Sequence, residues 1–304
     1  MVEKSMFSGY EKFTVSSDDL SVSILSFGAT ITEIMYKGKN RVTAYPDIDS
    51  LVASGSYMGA TIGRYANRIG GSAFEIDGVR YEVTPNEGRN QLHGGPGTWA
   101  YREWKGTAVG ETSVRFEIDS PDGDEGFPGN MKAWATFTVL GSTLRIDFEG
   151  ETDKPTVYAP TNHAYFNLAG EGSVLDHMLR MNSALYIEPD GELIPTGFAM
   201  PCMGEFNFSE MKPVGAEFDH CFVLNGMEAL RLEAGGVAME LKTDFPAVQI
   251  YTANGMGAPL YNHAGIAIEP EFYPDSPNHP EWPSTLLRPG EHFRRYAEYR
   301  FLEA

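Results

Sequence analysis

Several common signatures are missing from this chain of 304 residues. The two cysteines, Cys202 and Cys221, are too few for a disulfide framework, and no C-x-x-C or H-E-x-x-H spacing marks a local metal site. No apolar run approaches the roughly 20 residues that cross a bilayer, and the N-terminus lacks the apolar stretch of a signal peptide. These absences lead us to expect a soluble, cytoplasmic protein with reduced thiols.

Basic residues are also scarce, since 23 lysines and arginines stand against 42 acidic residues, for a formal net charge of -19. Such an acidic surface repels a phosphate backbone, and no lysine or arginine cluster offsets it. We therefore expect neither a nucleic-acid nor a membrane partner. A neutral, hydroxyl-rich small molecule is compatible with this charge.

The chain lacks the local motifs of two large enzyme classes. No G-x-S-x-G elbow of a serine hydrolase occurs, and there is no P-loop or strand-linked G-x-G-x-x-G for a nucleotide. A metal site assembled from distant histidines stays open at this point.

Helical periodicity is absent as well, whereas alternating strand patterns recur along the chain. "LSVSIL", "SVRFEID" and "TLRIDFEG" each place apolar residues on one side, and "FEIDGVRYEV" predicts a hairpin with a type I′ turn at Asp77 and Gly78. The 33 glycines and 19 prolines punctuate the whole length. We predict an all-β fold, one large antiparallel β-sandwich domain over residues 1–304.

One strand pattern, "PTNHAYFNLAG", carries an unusual number of polar groups. Because successive strand side chains point to opposite faces, it divides into an apolar face with Phe166 and a polar face. We predict that the polar face lines a pocket; its members are Thr161, His163, Tyr165 and Asn167.

A second pattern, "GIAIEPEFYP", places Glu269 on the same strand face as Gly265 and Ala267. Two small residues before a carboxylate predict open space above the sheet, where a ligand could approach. The alternative is that Glu269 is an exposed residue at the end of a strand.

Other polar residues in glycine-rich or strand segments are candidates for a site. Arg64 and Arg68 could hold hydroxyls or be buried structural arginines. His93, before a Gly-Gly turn, could donate to a ligand or bond locally. Asn67, Asp219 and Gln249 complete the set, with Gln249 placed on its strand much as Glu269 is.

Together these segments resemble the aldose 1-epimerase (galactose mutarotase) family. The matching motifs occur in the family's order and span most of the chain: "GRYANRIGGSAFEIDG", "NQLHGG", "TNHAYFNLAG", "DHCFVLN", "VQIYTAN", "GIAIEPEFYPDSPNHP" and "LRPGE". The resemblance implies a β-sandwich with a sugar in an open groove, and an isomerase that interconverts the anomers of a free hexose such as galactose or glucose.

The resemblance also implies roles for individual residues. His163 matches the family's catalytic acid and Glu269 its catalytic base. The positions that match sugar-contacting residues are Asn67, Arg68, His93, Tyr165, Asp219 and Gln249. One departure is present, because the family usually has Glu-Thr-Gln where this chain has Glu269-Pro270-Glu271.

The chemistry agrees with these residue types. Opening a hemiacetal removes a proton from the C1 hydroxyl and delivers one to the ring oxygen, so a base and an acid on opposite sides of C1–O5 suffice without metal or organic cofactor. The alternatives are a non-catalytic carbohydrate-binding sandwich, a mutarotase for a phosphorylated or other sugar, and a glycosidase with paired carboxylates.

Overall fold

The computed structural model describes residues 1–304, and β-strands account for nearly all of the regular structure. The first strands are β1 (Val2–Phe7), β2 (Tyr10–Ser16), β3 (Leu20–Leu25), β4 (Thr30–Tyr36), β5 (Lys39–Asn40), β6 (Val42–Thr43), β7 (Thr61–Ile62), β8 (Arg68–Ile69), β9 (Ala73–Ile76), β10 (Val79–Glu82), β11 (Gln91–Leu92), β12 (Lys105–Ala108), β13 (Ser113–Ser120), β14 (Met131–Leu140) and β15 (Thr143–Thr152). The others are β16 (Thr156–Val157), β17 (Thr161–Asn162), β18 (Tyr165–Phe166), β19 (Met178–Met181), β20 (Ser183–Pro189), β21 (Pro195–Pro201), β22 (Lys212–Pro213), β23 (Asp219–Leu224), β24 (Glu228–Ala234), β25 (Val237–Thr243), β26 (Ala247–Tyr251), β27 (Ile266–Glu271), β28 (Leu286–Leu287) and β29 (Phe293–Glu303).

Helical structure is limited to one short α-helix, α1 (Ile48–Ser54), and six single 3₁₀ turns. The turns are Gly70–Ser72, Trp99–Tyr101, Asp124–Gly126, Val174–Asp176, Gly204–Phe206 and Ser276–Asn278. No helix is both long and apolar enough to span a membrane.

Three large sheets and four two-stranded sheets build the molecule, and neighbouring strands within each run antiparallel. The largest has the order β12-β13-β14-β15-β29-β25-β24-β19-β22, the second β21-β20-β23-β26-β27-β18-β6, and the third β1-β2-β3-β4-β5. The pairings confirm the predicted antiparallel all-β class.

The two larger sheets pack face to face through aromatic side chains. Phe166 of the seven-stranded sheet contacts Tyr299 of the nine-stranded sheet, with ring centroids 5.1 Å apart. Along β14 and β15 buried and half-buried residues alternate, as expected for strands with one face in a core. This packing is a β-sandwich, as predicted.

The strands predicted from alternation are present at the expected places, as β3, β13 and β15. The predicted hairpin is also confirmed, because β9 and β10 pair with Ile76 opposite Val79. Both residues of its turn have positive φ, 53° at Asp77 and 79° at Gly78, as a type I′ turn requires.

The seven-stranded sheet brings together residues that are far apart in sequence. Gln249 of β26 lies directly opposite Glu269 of β27, and Tyr251 lies opposite Asp219 of β23. Directly opposed residues project from the same face of a sheet, so this register gathers polar side chains on one face. Tyr165 of β18 joins them opposite Ala267.

Arg64, for which the sequence left two interpretations, is structural. Its side chain is fully buried, and its Nη1 donates to the carbonyl oxygens of Pro128 (2.8 Å) and Gly129 (3.1 Å). Nη2 donates to Ser120 Oγ at 2.6 Å. The guanidinium therefore ties the loop after β13 to the segment between β7 and β8.

Replacing Arg64 by methionine should destabilise the protein by about 3 kcal/mol, because several buried carbonyl groups lose a charged donor at once. Urea-induced unfolding measures the change. The exposed Arg180 of β19 provides the control, since Arg180→Met should alter the free energy of unfolding by less than about 0.5 kcal/mol. Equal unfolding midpoints for the two variants would contradict the structural role.

Candidate active site

A groove of about 430 Å³ opens on the polar face of the seven-stranded sheet. Strands β23, β26 and β27 contribute side chains to its base, and the end of α1 and residues 255–258 contribute to its rim. All eight residues predicted for the site line it: Asn67, Arg68, His93, His163, Tyr165, Asp219, Gln249 and Glu269.

The centre of the groove holds the pair predicted to be acid and base. His163 Nε2 lies 3.5 Å from Glu269 Oε1, and both side chains are buried, with 6% and 2% of their areas exposed. The alternative of an exposed Glu269 is therefore wrong. At this distance the two side chains lie side by side. Such an arrangement suits two oxygens bonded to one carbon, as O1 and O5 of a pyranose are.

Aromatic rings hold His163 in position. It stacks on Tyr165 with centroids 4.9 Å apart and planes inclined by 13°, and His93 meets it edge-on at 5.2 Å. Tyr165 is anchored through its hydroxyl, which donates to Ser56 O at 3.2 Å. Its ring thus supports His163.

Hydrogen bonds determine the proton position on His93. Its Nδ1 accepts from the backbone N–H of Asn67 at 3.1 Å, so in the neutral ring the proton sits on Nε2. Burial, reinforced by repulsion from His163, lowers the pKa of His93 well below its ordinary value. His93 can therefore donate through Nε2 to a neutral oxygen.

Burial shifts both members of the central pair towards their uncharged forms. It lowers the pKa of His163 to about 4. It raises the pKa of Glu269 well above its ordinary range, and the nearby Glu271 and Asp219 reinforce the shift. Glu269 Oε2 is buried without a hydrogen-bond partner, which also disfavours the carboxylate. Burial thus favours the pair as a neutral acid and a neutral imidazole.

Arg68 is the only lysine or arginine that lines the groove, and its charge is already paired. Its Nε donates to Glu87 Oε2 at 2.6 Å, and its Nη2 to Oε1 at 2.9 Å. Glu87 itself lines the groove and was missed from sequence. It lies 19 positions from Arg68, in a turn with no pattern that links the two.

Asp219 and Gln249 form a second polar pair. Gln249 Nε2 donates to Asp219 Oδ1 at 2.6 Å, so the carboxylate fixes the orientation of the amide. Tyr57 and Tyr251 also line the groove and were not predicted. Aromatic residues are common in strands and loops, so nothing in the sequence singled them out.

Three predictions about these strands are wrong. Thr161 and Asn167 do not line the groove; Thr161 Oγ1 donates to Pro270 O at 2.8 Å, and Asn167 Nδ2 donates to Ala264 O at 2.9 Å. The segment is also not one continuous strand, because β17 and β18 are separated at His163. The open space expected above Gly265 is filled by Tyr165, whose Cβ would lie 2.8 Å from an added Cβ.

One cluster combines the donor types that metal sites use. His93, His163 and Glu269 each bring one donor atom within 4.8 Å of the other two. Two of the three, His163 and Glu269, are the residues predicted to be acid and base, and the third, His93, was predicted to contact the sugar.

Comparison with known proteins identifies the family. The family model described as aldose 1-epimerase matches residues 11–300. The chain belongs to the aldose 1-epimerase family. It is an isomerase, a mutarotase that interconverts sugar anomers, and no observation favours a non-catalytic carbohydrate-binding protein.

Relatives and solved structures agree over the full length of the chain. Galactose mutarotase of Mus musculus is 36% identical, over 96% of this chain and 94% of that protein. Aldose 1-epimerase of Haemophilus influenzae is 33% identical, over 99% and 100%. The crystal structure of an aldose epimerase homologue from C. elegans superposes with a TM-score of 0.92 at 28% identity, over 99% and 100%.

The burial of His163 generates a testable titration. Its imidazole should stay neutral on acidification until about pH 4, because the groove desolvates the charged form. Nitrogen NMR of labelled histidine measures this directly.

His292 offers an internal reference in the same sample. Hydrogen bonds to Glu149 and Glu151 raise its pKa above the ordinary 6.5, so it should titrate before His163 as the pH falls. A His163 midpoint near 6.5 would show that the groove solvates the imidazolium.

Proposed function

We propose that Glu269 and His163 are the catalytic base and acid of anomer interconversion. The observation that carries this proposal is the buried contact of 3.5 Å between their side chains at the centre of the groove. A sugar lying against this pair would present its C1 hydroxyl to Glu269 and its ring oxygen to His163.

The reaction then proceeds by two proton transfers from the charged form of the pair, in which the shared proton has passed from Glu269 to His163. Glu269 takes the proton of the C1 hydroxyl, the C1–O5 bond breaks as the aldehyde forms, and O5 takes a proton from His163. Rotation about C1–C2 turns the other face of the aldehyde towards O5. Closure reverses both transfers and restores the pair.

The polar residues around the pair would hold the hydroxyls during this rotation. Asn67, Arg68 and His93 stand on one side of the groove, and Asp219 and Gln249 on the sheet. Retention of the open chain keeps reclosure intramolecular, which is faster than recapture from solvent.

The charges of the groove favour an uncharged sugar. Its only basic side chain, Arg68, is neutralised by Glu87, and Asp219 adds a negative group. A phosphate would find no free cation to offset its desolvation. Since similar proteins are named galactose mutarotases, we propose a free hexose such as galactose or glucose as the substrate.

We further propose that residues 1–304 form one domain that works in the cytoplasm. A single cluster of 58 buried hydrophobic residues, from Phe13 to Phe301, draws on all three large sheets. Cys202 and Cys221 are both free thiols, as suits a reducing compartment.

Glu269→Gln and His163→Gln should each lower kcat for mutarotation by roughly 10²-fold or more, because each removes one proton-transfer group. Polarimetry of freshly dissolved α-D-galactose measures the rate. Glu240→Gln, on β25 of the other large sheet, is the control and should retain wild-type turnover. A folded Glu269→Gln variant with normal kcat would refute the assignment of the base.

Arg68→Ala should lower kcat/KM by about 10- to 100-fold, since a charge-assisted hydrogen bond contributes roughly 1.5–3 kcal/mol. Arg89→Ala is a matched control, because the Arg89 side chain is exposed, bonds only Glu192 and does not line the groove. Equal activity of both variants would mean that Arg68 does not contact the sugar.

Charge selection can be tested with the wild-type protein alone. D-galactose 6-phosphate should be turned over with a kcat/KM at least about 10-fold below that of D-galactose, because its phosphate meets no free cation. Parallel polarimetry of the two sugars at matched ionic strength measures the ratio. A ratio near one would contradict an uncharged substrate class.

A further inference from the structure

Behind the proposed base lies a second buried carboxyl group, Glu271. It occupies the same face of β27 as Glu269, two residues further along, and it is completely buried. It does not line the groove, so it cannot contact the sugar directly. Glu271 is therefore a titratable group close to the proposed base but outside the groove.

Glu271 forms no ion pair, and it has a single hydrogen-bond partner. Its Oε1 accepts one hydrogen bond, from Asn67 Nδ2 at 3.1 Å, and its Oε2 has no partner. Across the ladder it faces Ala247, which packs in an apolar cluster with Ile187 and Cys221. A carboxylate with one neutral donor in such a place is poorly stabilised.

The other ionisable groups nearby disfavour a negative charge or are already engaged. Glu269 stands on the same strand, while Asp219 and Cys221 face it from β23 and Tyr65 precedes β8. Arg68 is the nearby cation, and Glu87 holds it through two hydrogen bonds. Burial accordingly raises the pKa of Glu271 well above its ordinary range.

We propose that Glu271 works as an un-ionised carboxylic acid that positions Asn67, and that its ionisation ends catalysis at alkaline pH. The inference rests on the proposed role of Glu269 as base. Two adjacent buried carboxylates cannot both carry charge without a large penalty, so the charge that Glu269 needs during ring opening requires Glu271 to be neutral.

Asn67 is the link through which Glu271 acts. Its side-chain amide donates to Glu271, its Oδ1 accepts from the backbone N–H of Arg68 at 2.9 Å, and its own N–H donates to His93 Nδ1. A neutral carboxyl and a carboxamide offer the same acceptor oxygen to Asn67. A glutamine can thus replace the acid but cannot lose a proton.

The test compares pH–rate profiles of wild type, Glu271→Gln and Glu271→Leu by polarimetry. Glu271→Leu should lower kcat/KM by about 10-fold, because Asn67 loses its acceptor, and Glu271→Gln should restore it. The alkaline limb of the pH–rate profile, where activity falls as the pH rises, should lie about one pH unit or more higher for Glu271→Gln than for wild type.

Asp275→Asn is the matched control, because Asp275 is also a buried carboxyl group with a raised pKa but does not line the groove or contact Asn67. Its alkaline limb should coincide with that of wild type. An equal shift in both variants would overturn the assignment to Glu271.

The direction in which the alkaline limb of Glu271→Gln moves shows whether Glu271 is neutral or ionised during turnover. A limb that moves to lower pH in Glu271→Gln would show that Glu271 is ionised during turnover, and an unmoved limb would show that its ionisation does not end catalysis. Either result overturns the proposal.

Infrared difference spectroscopy at neutral pH, wild type minus Glu271→Gln, should show a protonated-carboxyl band; its absence also overturns the proposal. This measurement needs no turnover. It therefore tests the protonation of Glu271 even if Glu269 proves not to be the catalytic base.

Discussion

The register between β26 and β27 is the constraint on which the site depends. It places Gln249 directly opposite Glu269, and both project towards the groove. A slip of one residue would turn them into the core and expose Ile250 and Ile268 instead. The complete burial of these two isoleucines opposes such a slip, so the packing of the sandwich also determines the geometry of the catalytic face.

The groove limits the cost of burying so many polar groups by pairing them in advance. Arg68 is matched by Glu87, and the amide of Gln249 by Asp219. Pre-paired groups are already oriented when a ligand arrives, so less conformational freedom is lost on binding. The same pairing removes the free positive charge that a phosphorylated ligand would need.

Much of the fold and most of the site could be predicted from the sequence, for reasons that individual residues illustrate. The turn at Asp77 and Gly78 depends on local chemistry alone, and its hairpin was predicted correctly. Arg64 could not be assigned, because its partners lie more than 50 residues away along the chain. Glu87 lies only 19 positions from Arg68, but it was missed because no local pattern links the two residues.

The positions of protons follow from burial, which a strand pattern does not reveal. Opening a hemiacetal requires an ionised Glu269 and a protonated His163, whereas burial in the groove favours both neutral forms. The charged and neutral forms of the pair hold the same number of protons. In the charged form the shared proton lies on His163, and in the neutral form it lies on Glu269. Ring opening converts the charged form into the neutral form, since Glu269 gains a proton and His163 loses one. A groove that favours the neutral pair therefore makes the move of this proton from Glu269 to His163 costly before ring opening, and the same free energy is returned when Glu269 takes the proton of the C1 hydroxyl.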